Sequence, residues 1–202
     1  VKSIVDLIKY TSEDKIIKHS DSFNVLHLQV EDLPTNTIAW CEEPAKFIDE
    51  QLSLHNIVYV HCAQGVSRSS ALVIYYLMTR KKQGLKQTFN FIRYIRSVAC
   101  PSFGFMKGLS ELEQKNLGRT SFSPEDYTIM CISEIAPNVK IEDIIEIYQK
   151  VRDEVRKKQQ FYDEAARSRN IEPIGFYTID KIMEKFGKDS VLKRYGCSLH
   201  HP

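Results

Sequence analysis

No run of apolar residues in this chain comes near the ~20 that a helix needs to cross a bilayer, which excludes a helical membrane span. Cysteine is sparse and scattered. The five, at positions 41, 62, 100, 131 and 197, include no C-x-x-C pair, so neither a disulfide framework nor a zinc site is indicated and no metal is expected. An excess of one charge is missing too: 28 Lys and Arg stand against 26 Asp and Glu. The resulting +2 is too small to predict a nucleic-acid partner from electrostatics. What is left, 43% apolar and 27% charged, is ordinary for a globular protein, and a cytoplasmic, intracellular location that keeps thiols reduced is the expectation, the nucleus included.

One stretch stands out, Ile57 to Ser70. Ile57, Val58, Tyr59 and Val60 are a short apolar, β-branched run of the kind that forms a buried strand. Beyond Ser70 the residues Ala71 to Met78 are apolar with good helix formers, so the chain should pass from strand through a tight loop into a helix. Such a loop aims several backbone N–H groups at one spot, and the helix dipole adds positive charge there. The place binds an oxyanion. It also holds Cys62, whose thiol at a helix N-terminus beside a cation becomes a thiolate near neutral pH. Gly65 supplies the backbone freedom of a tight cradle. Arg68, six residues after Cys62, can return over the loop and hold two oxyanion oxygens, while Ser67 and Ser69 add hydroxyl donors.

The nine residues His61-Cys62-Ala63-Gln64-Gly65-Val66-Ser67-Arg68-Ser69 resemble the signature of the cysteine-dependent protein tyrosine phosphatases, in the form found in dual-specificity phosphatases of the MAP kinase phosphatase type. The resemblance continues through Tyr76-Leu77-Met78, Arg96-Ser97, Pro101 and Phe103-Gly104-Phe105-Met106. Ser102 departs from it, because many relatives carry Asn after the proline. The family usually has a further strand and helix before the segment that Val1 to Leu7 resembles, so the N-terminus is expected to be incomplete. The implied fold class is α/β, a central mixed sheet flanked by helices. Residues 1–119 would form the catalytic domain and 120–202 an all-α C-terminal extension of no recognised family.

Asp32 follows a second expected strand, Val25 to Val30, and lies 30 residues before Cys62. A carboxylic acid on a loop beside the cradle can protonate a leaving oxygen. Val30-Glu31-Asp32 is similar to the family's general-acid loop; Glu31 is the competing carboxylate, and a turn Asp that caps the next helix is the plain alternative. Helices are expected from Thr35 or Asn36 to Leu54, from Arg68 to Lys82 with Gly84 as its stop, from Lys86 to Val98 and from Phe103 to Leu117. Ser123-Pro124-Glu125-Asp126 reads as a helix start, with that helix reaching Ile135. Residues 140–169 read as one long amphipathic helix offering an apolar stripe to a protein partner, and short helices are expected at 178–186 and 189–195.

The resemblance implies an enzyme without cofactors. Cys62 attacks phosphorus, the amides of Ala63, Gln64, Gly65, Val66 and Ser67 with Arg68 bind the oxyanion, and Asp32 protonates the leaving alcohol. Water then releases the phosphocysteine, Ser69 easing thiolate departure and His61 ordering the loop and helping to hold down the thiol. The acid loop has no Trp-Pro-Asp, which suggests a shallow pocket for phosphotyrosine and phosphoserine or phosphothreonine in protein substrates. Ala63, Gln64 and Val66 are neutral where phosphoinositide phosphatases carry lysines. The alternative is a scaffold or assembly component in which the helical extension binds partners and catalysis is secondary. A Cys41–Cys62 disulfide requires that the fold bring the two within reach.

Overall fold

The computed structural model describes residues 1–10, 21–33, 36–151 and 153; the expected short helices after 169 lie outside them. The chain divides into two compact units, the first spanning Val1–Phe122 and the second beginning at Ser123.

In the first unit the sheet is built around β1, Ser3–Asp6, with β2, Asn24–His27, on one side and β3, Val58–His61, on the other. Both partners run parallel to β1, Ser3 facing Asn24 and Val58, so the sheet is wholly parallel among the described residues. A central parallel strand is covered on both faces, and all four residues of β1 are buried. Ser3 and Asp6 break its apolar pattern yet are satisfied. The Ser3 hydroxyl donates to Gln51 Oε1 at 2.7 Å, and Asp6 accepts from the Ile8 N–H at 3.0 Å and the Tyr10 hydroxyl at 2.9 Å. A buried polar group without such partners would cost stability.

The crossover from β2 to β3 runs through a 3-10 turn at Ala39–Cys41 and α1, Glu42–Ser53. The helix starts later than the cap residues suggest. Asn36 is spent on the preceding loop, donating its side-chain amide to the Glu31 carbonyl at 2.7 Å and its N–H to the Leu33 carbonyl at 3.0 Å. Glu42 and Glu43 occupy the first turn, where the dipole favours acids, and Pro44 sits where a missing N–H is harmless.

Helix α2, Arg68–Arg80, touches α1, β3 and the helices at Leu85–Ile95 and Phe103–Leu117. The first unit packs around it, with Leu72, Ile74, Leu85, Phe89, Phe105, Met106 and Leu109 almost fully buried. Gly84 does not stop α2. The left-handed residue after it is Lys82, φ 56°, whereas Gly84 has φ −73° and ψ 152° and caps the N-terminus of α3, Leu85–Ile95. A glycine with no side chain cannot cap by itself, so Glu113 of α4, Phe103–Leu117, does so instead. This buried carboxylate accepts from the Leu85 N–H at 2.8 Å and, through its other oxygen, from the Ser121 N–H at 2.6 Å. Gly118, φ 67°, closes α4.

In the second unit α5, Pro124–Ile135, opens with a full capping box between Ser123 and Asp126. Residues 141–151 are helical. Their apolar stripe is already occupied: Ile144, Tyr148 and Val151 form a buried cluster with Ile132 and Ile135. The rest of the long helix expected to 169 falls outside the described residues.

Replacing Glu113 with Ala orphans the Leu85 and Ser121 amides. We expect a loss of about 2–3 kcal/mol in unfolding free energy by urea titration, with Glu113→Gln costing less because one acceptor oxygen survives.

Candidate active site

β3 ends at His61, and the chain turns through Cys62 to Ser67 before α2 begins at Arg68, the arrangement of strand, loop and helix that the residue pattern requires. Cys62 is buried, and its Sγ lies 3.3 Å from Ser69 Oγ. Burial alone would raise the thiol. The Ser69 hydroxyl, the Ser69 amide, the Arg68 charge and the Gly65 amide together outweigh burial and bring the thiol below its ordinary value. Cys41 is the contrast: free and fully buried, with its thiol driven far up by desolvation. Cys62 is free as well, so the two are not joined.

The loop is clamped from outside. Arg96, the residue after α3, donates from Nε to the Gly65 carbonyl at 2.6 Å and from Nη2 to the Gln64 carbonyl at 3.0 Å. The Cys100 N–H takes the Val66 carbonyl at 2.9 Å. With successive carbonyls drawn outward, the amides of the turn are left for an anion inside it. Gly65 is needed twice over: its φ is +66°, and a Cβ there would sit 2.9 Å from Arg96 Nη2. The Arg96-Ser97 pair is visible in the sequence, but its clamping role needs the end of α3 to reach the loop, which no local pattern reveals.

Arg68 is anchored at one end. Its Nη1 donates to the Leu7 carbonyl at 3.2 Å and the Val30 carbonyl at 3.0 Å, fixing the guanidinium against the ends of β1 and of the loop after β2. Its Nε is buried without a hydrogen-bond partner and lies 3.8 Å from Asp32 Oδ2. A charged donor so placed is the group an incoming oxyanion would satisfy.

The two candidate acids part company. Glu31 points outward and pairs with Lys9, both half-exposed. Asp32 faces the loop and accepts from the Ser67 hydroxyl at 2.7 Å. Its carboxyl is raised from the ordinary range by burial, against the lowering effects of Ser67, Arg68 and Ser102. The structure thus brings Asp32 to Ser67 and Arg68 of the loop that carries Cys62 and leaves Glu31 aside. Ser67 is buried, and its hydroxyl is engaged with Asp32 and with the Ser102 N–H at 2.8 Å. The His61 ring stacks on Tyr59 with centroids 5.3 Å apart, and its Nε2 faces Asp6 Oδ1 at 3.8 Å. A cavity of about 390 Å³ opens beside the loop, with Tyr59, Cys62, Gln64, Ile95 and Arg96 among its walls.

Loss of the outer clamp should loosen the anion site without unfolding the chain. For Arg96→Ala we expect the affinity for vanadate or tungstate, read by calorimetry, to fall roughly tenfold, in line with the removal of charge-assisted hydrogen bonds.

The family model "Dual specificity phosphatase, catalytic domain" matches residues 1–115. Human dual specificity protein phosphatase 16 is 25% identical over 165 residues, which cover 81% of this chain and 25% of that protein. Human dual specificity protein phosphatase 4 is 35% identical over 79 residues, 39% of this chain and 20% of that protein. The chain therefore spans a quarter or less of the length of these relatives. The crystal structure of human DUSP28 aligns with a TM-score of 0.52 at 23% identity, covering 57% of this chain and 78% of that one, a likeness of fold. With more than half of its length matched by the family model, the chain belongs to the dual specificity phosphatase catalytic-domain family.

Proposed function

We propose that the chain is a protein phosphatase that hydrolyses phosphotyrosine and phosphoserine or phosphothreonine through a phosphocysteine intermediate. The observation that carries this reading is the convergence on one loop of a lowered thiol, a buried Arg68 donor without a hydrogen-bond partner, and a carboxyl held above its ordinary range. The Cys62 thiolate forms the S–P bond as the P–O bond to the leaving group breaks. The loop amides and Arg68 hold the three remaining oxygens, and Asp32 gives its proton to the departing alcohol. Water next attacks phosphorus, Asp32 takes back a proton, and the electron pair of the S–P bond returns to sulfur beside the Ser69 hydroxyl.

A phosphoprotein is favoured over a phosphoinositide because Ala63, Gln64 and Val66 bring no charge to the cradle. Residues 1–119 carry the chemistry in this reading, and a cytoplasmic setting suits a thiolate that must stay reduced. For the scaffold alternative, residues 141–151 offer less than the sequence suggests, since Ile144, Tyr148 and Val151 are packed within their own unit.

The two shifts act in the same direction. A lowered thiol and a raised carboxyl widen the pH range in which thiolate and protonated acid coexist. With para-nitrophenyl phosphate, kcat/KM should be bell-shaped, its acidic limb lying below the ordinary thiol range. Cys62→Ser should abolish turnover, and Asp32→Asn should lower kcat about 10²- to 10⁴-fold and remove the basic limb. A folded wild-type chain with no turnover on any aryl phosphate would overturn the proposal.

A further inference from the structure

Ser67 is expected from the loop pattern to donate to phosphate, but its neighbours leave it no proton for that. A hydroxyl carries one hydrogen. The Ser102 backbone N–H, 2.8 Å away, can only donate, so Ser67 Oγ accepts there. The remaining proton then goes to Asp32 Oδ1 at 2.7 Å. A carboxyl oxygen that receives this hydrogen bond cannot at the same time carry the acidic hydrogen toward Ser67. When Asp32 is protonated the contact holds in either of two ways: Ser67 donates to Oδ1 and the acid's proton sits on Oδ2, 3.8 Å from the Arg68 guanidinium, or Oδ1–H donates to the second lone pair of Ser67.

We propose that Ser67 is a positioning residue that latches the acid loop to the phosphate loop by holding Asp32 Oδ1, so that Oδ2 carries the proton given to the leaving group. The assignment rests on the phosphatase reading above, while the latch itself does not. The chain of contacts runs from the start of α4 through Ser102 and Ser67 to Asp32, so the position of the carboxyl is set by backbone that takes no part in the reaction. The same loop is held from its other side by Lys9 on Glu31 and by Asn36 on the Glu31 carbonyl. Those contacts fix where the loop lies but do not touch the Asp32 carboxyl. Ser67 does both.

The test compares leaving groups. In Ser67→Ala of the full chain, kcat should fall roughly tenfold or more with phenyl phosphate, whose alkoxide-like leaving group needs a proton, and by less than about threefold with 2,4-dinitrophenyl phosphate, which leaves without one. Vanadate affinity should stay within about twofold, since no phosphate ligand is lost. Adding Ser67→Ala to Asp32→Ala should bring no further loss, as two groups acting through one step are not additive. Equal losses with both esters together with weakened vanadate binding would make Ser67 a phosphate ligand and end the proposal. A readout independent of turnover is amide hydrogen exchange in the ligand-free protein. Exchange at residues 30–33 should quicken about tenfold in Ser67→Ala. If exchange there is unchanged, the latch is refuted, whatever the wild type hydrolyses; if the wild type hydrolyses no ester while exchange quickens, the phosphatase reading fails and the latch stands.

Discussion

The structure of the first unit depends on where a single guanidinium is pinned. Arg68 opens α2, the helix on which the unit packs, and through one nitrogen it takes the carbonyls of Leu7 and Val30. Those carbonyls terminate β1 and the segment leading to Asp32. Three pieces of chain distant in sequence are thereby set around one cation, and its attraction for the Asp32 carboxylate adds a third tie. A lysine could supply the charge and reach the carbonyls, but it has no second nitrogen to keep as a donor for a ligand. The catalytic constellation and the meeting of sheet with helix are one piece of geometry.

How much of this was legible in the residues follows from range. Cys62 to Ser69 are consecutive, so strand end, turn and helix start are local properties, and these elements lie where the residue pattern puts them. The helix of Phe103–Leu117 and the capping box at Ser123 were legible for the same reason. Asp32 could be proposed from its neighbourhood but separated from Glu31 only by the fold, which turns one inward and the other to Lys9. Arg96 was beyond reach, because its partners are carbonyls 31 and 32 residues away.

The misreadings have physical causes too. Asn36 looks like a helix cap and instead bonds back to Glu31, so the acid loop and not α1 receives its side chain. Gly84 looks like a helix stop, yet the left-handed turn falls on Lys82, and Gly84 is where α3 receives a cap from Glu113 of another helix. In both cases a residue suited to end one element is used by a tertiary contact to begin or brace another. The apolar stripe after residue 140 has the same lesson in reverse: Ile144, Tyr148 and Val151 found their partners within the same unit.

Gly65 and Arg96 bear on how such a loop can change over time. The guanidinium fills the space that a side chain at position 65 would enter, and it also holds that residue's carbonyl. Shortening Arg96 would make room for a methyl group but release the carbonyl, and would leave the positive φ as forbidding as before. Neither position offers a neutral first step. The two residues are free to drift only together, and only through an intermediate that is worse than either end, so the pair behaves in mutational space as one site with two addresses.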